Sequence, residues 1–138
     1  MELFFDSNIF LHHLAGNDKA SKLMEKVEKN NIIGYINDIV ISEVVYGFLR
    51  AKTGLRPLEL KKNIVEIEID LRQLRDLFKI FRVLPCNIGY YIFEVMNRYS
   101  LLPNDALIAA TCRFYGIRRI ATFDDDFRRV KFLKVVEV

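Results

Sequence analysis

The residues best suited to chemistry in this 138-residue chain are acids that lie far apart: Asp6, Glu43, Asp105 and the run Asp124-Asp125-Asp126. Asp6 directly follows the apolar run Leu3-Phe4-Phe5, and Asp124 follows Ile120-Ala121-Thr122. Glu43 and Asp105 sit in apolar contexts, Ile41-Ser42-Glu43-Val44-Val45 and Asp105-Ala106-Leu107-Ile108-Ala109-Ala110. A carboxylate beside a buried helix face needs a partner. Taken singly, each acid has an ordinary explanation: Asp6 as a turn residue, Glu43 as a solvated helix residue, Asp105 as a complement to its helix dipole, the triplet as a loop cap. Taken together, converging carboxylates repel, and one or more takes up a proton unless a cation joins them. All-oxygen ligation suits Mg2+ or Mn2+, and Mg2+ keeps several waters, one of which can become a nucleophile.

The surrounding elements must bring these acids together. Leu3-Phe4-Phe5, Ile32-Ile33-Gly34-Tyr35-Ile36, Arg82-Val83-Leu84-Pro85, Arg119-Ile120-Ala121-Thr122 and Leu133 to Val138 read as short strands. Helical patterns separate them. Ser7 or Asn8 can cap a short helix that Gly16 ends, and Asp18 can cap the next, with Ala20, Leu23, Met24 and Val27 on one face. Asn37 or Asp38 can cap a helix reaching about Lys52, with Val40, Val44, Phe48 and Ala51 inward and Gly54 as its stop. Asn87 to Tyr99 and Pro103 to Gly116 read as two more helices, and Asp124 to Arg129 as a turn or short helix. From Pro57 to Phe81, the residues Leu60, Ile64, Ile67, Leu71, Leu74, Phe78 and Phe81 recur alternately four and three apart. That heptad seam outweighs the strand-like alternation of Val65 to Ile69. Asp70 with Gln73 has the pattern of a capping box, which predicts two helices broken near Asp70 and makes their apolar surface the candidate dimer face.

Strands separated by helices imply an α/β fold, a parallel sheet in three layers. In such sheets ligand sites gather beyond the carboxyl ends of the strands. Asp6 and Asp124 lie there, Glu43 is early in the helix after the second strand, and Asp105 occupies the first turn of its own helix.

Composition sets the bounds. Apolar residues are 51% and charged residues 28%, so the chain forms a core, and with no Pro/Gly/Ser-rich linker residues 1–138 read as one domain. Charges interrupt every apolar run short of the ~18 residues a membrane span needs. Met1 to Asp6 lacks a basic n-region, so no secretory signal is read. The two cysteines, Cys86 and Cys112, form no CxxC, which speaks against a disulfide framework or a zinc site and for a reducing cytoplasm. The formal charge is +3. Setting aside Asp6, Glu43, Asp105, Asp124 and Asp126 leaves a strongly basic remainder, an arrangement that suits a polyanion approached through metal ions, although ordinary surface charge gives the same composition.

Four segments then stand out in order: Asp6-Ser7-Asn8, Ser42-Glu43-Val44-Val45-Tyr46-Gly47, Leu102-Pro103-Asn104-Asp105-Ala106-Leu107-Ile108-Ala109-Ala110 and Thr122-Phe123-Asp124-Asp125-Asp126-Phe127. They resemble the motifs of the PIN-domain family and, within it, the small VapC-type toxin ribonucleases. The resemblance spans essentially the whole chain and no acid is missing. Its register favours Asp124 and then Asp126, leaving Asp125 outward. It implies a three-layer α/β/α sandwich around a parallel sheet of about five strands. It also implies Mg2+- or Mn2+-dependent endoribonuclease hydrolysis of RNA phosphodiester bonds, a homodimer and a cognate antitoxin protein. On this expectation Asp6, Asp105 and Asp124 hold metal directly or through water. Glu43 and Asp126 support those ligands or orient the attacking water.

Other residues have two readings each. Ser7, Asn8 and Thr122 can hydrogen-bond a carboxylate or a phosphate, or Ser7 and Asn8 simply cap a helix. Arg118, Arg119, Arg128, Arg129 and Lys131 cluster around the last motif, with Arg128 and Arg129 as candidate phosphate contacts; a solvated face is the alternative. Tyr35, Tyr46, Tyr90 and Tyr91 can stack on bases or pack. His12 and His13, adjacent on a helix, point about 100° apart and cannot easily share a metal. Three rival functions stay open: a PIN nuclease of RNA maturation or decay without an antitoxin, a degenerate PIN fold that only binds RNA, and a receiver-like signalling module. A receiver needs an acidic pair after its first strand, and Asp6 stands alone between Phe5 and Ser7.

Overall fold

The computed structural model describes all 138 residues. The N-terminal apolar run forms β1 (Glu2–Phe5), and burial of Leu3, Phe4 and Phe5 on both faces marks it as the central strand. α1 (Ser7–Leu14) and α2 (Asp18–Glu28) lead to β2 (Ile33–Asn37). α3 (Asp38–Thr53), α4 (Pro57–Asn63) and α5 (Arg72–Phe78) lead to β3 (Arg82–Leu84). α6 (Tyr91–Tyr99), α7 (Pro103–Tyr115), β4 (Arg119–Ala121) and β5 (Lys134–Val136) complete the chain. The sheet is parallel throughout, in the order β3-β2-β1-β4-β5. The first crossovers run one way from β1 and the later ones run the other. Right-handed connections therefore lay helices on opposite faces, giving the three-layer sandwich. The reversal falls between β1 and β4, where Phe4 pairs with Ile120 and Phe5 with Ala121. The Asp6 N–H donates to the Ala121 carbonyl at 3.0 Å and carries the ladder into the site.

The core beneath is aromatic. Phe5 and Phe10 each meet Phe81 at 4.9 Å between ring centroids, and Phe10 meets Phe78 at 5.4 Å. Gly34 makes room for this cluster: a Cβ there would stand 2.6 Å from the Phe81 ring. α3 and α7 each end on a left-handed glycine, Gly54 and Gly116.

Several boundaries differ from the expectations. The cap of α1 is Asp6, not Ser7 or Asn8, and the cap of α2 is Asn17, whose Oδ1 accepts from the Ala20 N–H at 3.0 Å, not Asp18. Ala51 is exposed rather than inward. α6 begins at Tyr91, since Gly89 and Tyr90 turn before it. The largest difference is the heptad seam. α4 stops at Asn63, a single 3₁₀ turn covers Ile64–Glu66, and residues 67–71 run without helix. The β-branched run Ile64, Val65, Ile67 and Ile69 has poor helix propensity. Asp70 and Gln73 form no capping box. The Asp70 carboxylate instead accepts from the Arg72 N–H at 2.9 Å and grips the Arg72 guanidinium, so α5 starts on Leu71 as its cap. Leu60, Leu74 and Phe81 are buried, whereas Leu58, Ile64 and Val65 face outward.

Candidate metal centre at the reversal of the sheet

Asp6 leaves β1 in extended conformation and its Oδ1 accepts from the Ser7 N–H at 2.8 Å, which caps α1. Its other oxygen accepts from the Thr122 hydroxyl at 2.7 Å. Thr122 stands just past β4 and is itself fully used, accepting from the Asp124 N–H at 2.9 Å and from Asn8 Nδ2 at 3.2 Å. Asn8 Oδ1 accepts from the Phe123 N–H at 3.2 Å. The ends of β1 and β4 are thus stitched together by side chains that sequence had left between capping and ligand contact. Asp6 is buried, and burial pushes its carboxyl up to about 6; the Thr122 and Ser7 hydrogen bonds pull the other way, and Glu43 and Asp124 add repulsion.

Asp105 enters from the first turn of α7, with Pro103 fixing the helix start. Burial pushes it up to about 7, followed by repulsion from Asp6, Asp124, Glu43 and Asp126, with no hydrogen bond opposing the shift. The electrostatics of one carboxyl therefore register the other four. Asp105, Asp124 and Asp126 each offer an oxygen within 4.8 Å of the others. Asp124 caps the 3₁₀ turn Asp125–Arg129, accepting from the Asp126 N–H at 2.9 Å. Asp125 lies outside the group and pairs with Arg128 at 3.0 Å. Asp6 stands outside that tight trio, its two oxygens held by Ser7 and Thr122. Asp126, expected in support, stands within it.

Glu43 approaches from α3. Its Oε2 accepts from Asn104 Nδ2 at 3.4 Å, and its Oε1 is buried with no hydrogen-bond partner. A buried carboxylate oxygen without a donor, beside a half-buried Asp105 also without one, fits a hard divalent cation bound by oxygens.

Arg128 and Arg129 are committed within the chain. Arg128 pairs with Asp125 and Glu137. Arg129 donates to Asp126 Oδ1 at 3.0 Å, to the Tyr99 carbonyl at 3.0 Å and to the Ser100 carbonyl at 2.8 Å. Sequence reasoning missed this tether, and the i,i+3 spacing from Asp126 to Arg129 was its one local signal. It also missed Asn104, although that residue lies inside the third motif. His12 stacks on Phe123 at 4.3 Å and His13 Nδ1 meets Ser21 Oγ at 2.8 Å, so neither joins the acids.

A family model described as PIN domain matches residues 3–133. Ribonuclease VapC2 of Methanocaldococcus jannaschii is 48% identical over 99% of this chain and 94% of its own length. Ribonuclease VapC6 of the same organism is 31% identical over 98% of this chain and 96% of its own. Among solved structures, a chain of a toxin-antitoxin complex from Klebsiella pneumoniae superposes with a TM-score of 0.66 at 20% identity, covering 98% of this chain and 96% of that one.

Proposed function

Because the chain belongs to the PIN-domain family, with full-length likeness to proteins named VapC, we propose that it is a divalent-metal-dependent endoribonuclease acting as the toxin of a toxin-antitoxin pair in the cytoplasm. Family membership sets the receiver-like alternative aside. One observation supports the nuclease reading most: acids from four distant segments meet where the sheet order reverses, with three carboxylates inside 4.8 Å.

In this reading Asp105, Asp124 and Asp126 hold Mg2+ or Mn2+, with Asp6 and Glu43 facing it directly or through water. When bound, the ion lowers the pKa of a water and neutralises charge on the scissile phosphate. Thr122 and Ser7 hold Asp6 in one orientation, and Arg129 holds Asp126. Glu43, with a free oxygen, is placed to accept a proton from the attacking water. Asn8 and the Thr122–Asp124 turn keep β1 and β4 in register, so the acids are set before substrate arrives.

The test is cleavage of single-stranded RNA by the protein and its Asp6→Asn and Asp105→Asn variants, in EDTA and in Mg2+ or Mn2+. Cleavage by the parent only with metal, and by neither variant, is expected. Equal cleavage by folded variants would remove the assigned site.

An antitoxin partner is supported by the VapC relatives and by the fold shared with the Klebsiella pneumoniae chain. An apolar groove holding Leu11, Leu14 and Phe48 suits an amphipathic helix. Co-expression with the product of the adjacent reading frame is expected to yield a complex that suppresses cleavage.

A further inference from the structure

A polar cleft of about 430 Å³ opens beside Glu43, between α1 and α3 and against the start of α7. Its base is set by the seat of Gly47 against Leu11, where a Cβ would stand 2.9 Å from the leucine methyls. Ser7, Ser42, Tyr46, Arg50 and Asn104 line it. Glu43, Tyr46 and Arg50 share one stripe of α3, and the seven-residue step from Glu43 to Arg50 covers two turns, about 10 Å. Arg50 is exposed and none of the ion pairs includes it. Arg128 and Arg129, two of the five cations around the last acidic motif, spend their donors on carboxylates and carbonyls of this chain. The cleft therefore presents an anionic end at the acids and a cationic end at Arg50, with Ser42 and Tyr46 among the polar residues lining it.

We propose that this cleft is the backbone subsite for the nucleic-acid strand, with Arg50 binding a phosphate one or two nucleotides from the scissile bond. The assignment rests on the nuclease reading above and adds the direction in which the strand leaves the acids. A phosphodiester chain matches both ends: the ion neutralises one phosphate, and a planar guanidinium takes another with paired N–H donors. Tyr46 is 45% exposed, so its ring can lie along the sugar or base between them.

The test is fluorescence anisotropy with a fluorescein-labelled single-stranded RNA 12-mer in Mg2+, using Asp6→Asn as the non-cleaving parent. Arg50→Gln in that parent is expected to weaken binding about 5- to 10-fold. It is also expected to shallow the slope of log K against log salt by about 0.7, the share of one phosphate on a single strand. Arg50→Lys keeps most of the slope. Lys52→Gln, also exposed on α3 but outside the cleft and set over the Phe48 ring, leaves both quantities unchanged. RNA binding by the parent with the same affinity and slope in Arg50→Gln overturns the subsite alone. So does an equal loss in Lys52→Gln, which would mean diffuse attraction. Absence of RNA binding by both parent and unmodified protein overturns the subsite and the nuclease reading together.

Discussion

The Thr122 hydroxyl donates to Asp6 Oδ2 at 2.7 Å, across 116 positions of sequence. That bond joins the ends of the two strands between which the sheet reverses, and it is made by the residue that also receives the Asp124 N–H.

Thr122→Val keeps the β-branched shape and strips three hydrogen bonds at once. Asp6 then loses a bond that holds its carboxyl down, so its pKa rises further. The expected cost is about 1–3 kcal/mol, the range for leaving buried polar groups unpaired, and Thr122→Ser recovers most of it. Urea unfolding of the three proteins checks this; a Val variant as stable as the parent would show that the hydroxyl does no structural work.

Without metal, Asp6 at about 6 and Asp105 at about 7 both stand above the ordinary 3.8. Well below pH 3.8 both groups are protonated whether folded or unfolded, and their contribution is fully present. Between there and about pH 7 the folded chain binds more protons than the unfolded one, so stability falls as pH rises through the folded values. For Asp6 the loss is on the order of 3 kcal/mol at 1.36 kcal/mol per pH unit. Mn2+ at a hundred times its Kd returns about 2.7 kcal/mol. Chemical denaturation at pH 5 and pH 8, in EDTA and in Mn2+, measures both. The decline in EDTA should vanish in the Asp6→Asn/Asp105→Asn double variant, and its persistence there would place the cause elsewhere.

Arg129 reaches Asp126, Tyr99 and Ser100 with separate donors of one rigid fork. A lysine ammonium on a flexible stem cannot reproduce that geometry. Arg129→Lys should lose about 1–2 kcal/mol of stability, and Mn2+ affinity should drop about tenfold because a ligand loses its orienting partner. Isothermal titration with Mn2+ reads the second effect. Unchanged affinity would confine Arg129 to holding the end of α6.

Val65 is 93% exposed on the linker between α4 and α5, beside exposed Ile64 and Leu58. If this face joins two copies, Val65→Glu shifts the protein from dimer to monomer and leaves the monomer's stability within about 0.5 kcal/mol. Light scattering behind size exclusion decides it: a dimer that persists in the variant would move the interface away from residues 57–71.

The sheet was legible because each strand is a short apolar run ended by a polar or turn residue, as in Leu3-Phe4-Phe5 before Asp6. α3 and α7 were legible because Asn37, Pro103, Gly54 and Gly116 mark their ends by local backbone chemistry. The stretch from Pro57 to Phe81 misled because apolar spacing carries the helical period, whereas β-branched crowding and the Asp70–Arg72 turn act against it.

Sequence alone determined which residues are acidic, that Glu43 and Asp105 sit beside apolar faces, and in which strands and helices each acid lies. Those properties are local, set by composition, period and caps over a few neighbours. Only the tertiary structure decided that Asp126 rather than Asp6 completes the tight trio, that Arg129 is a tether, and that Arg50 is the free cation of the cleft. Each of these depends on which side chains hold one another's oxygens across tens of residues, and the parallel crossovers create that proximity.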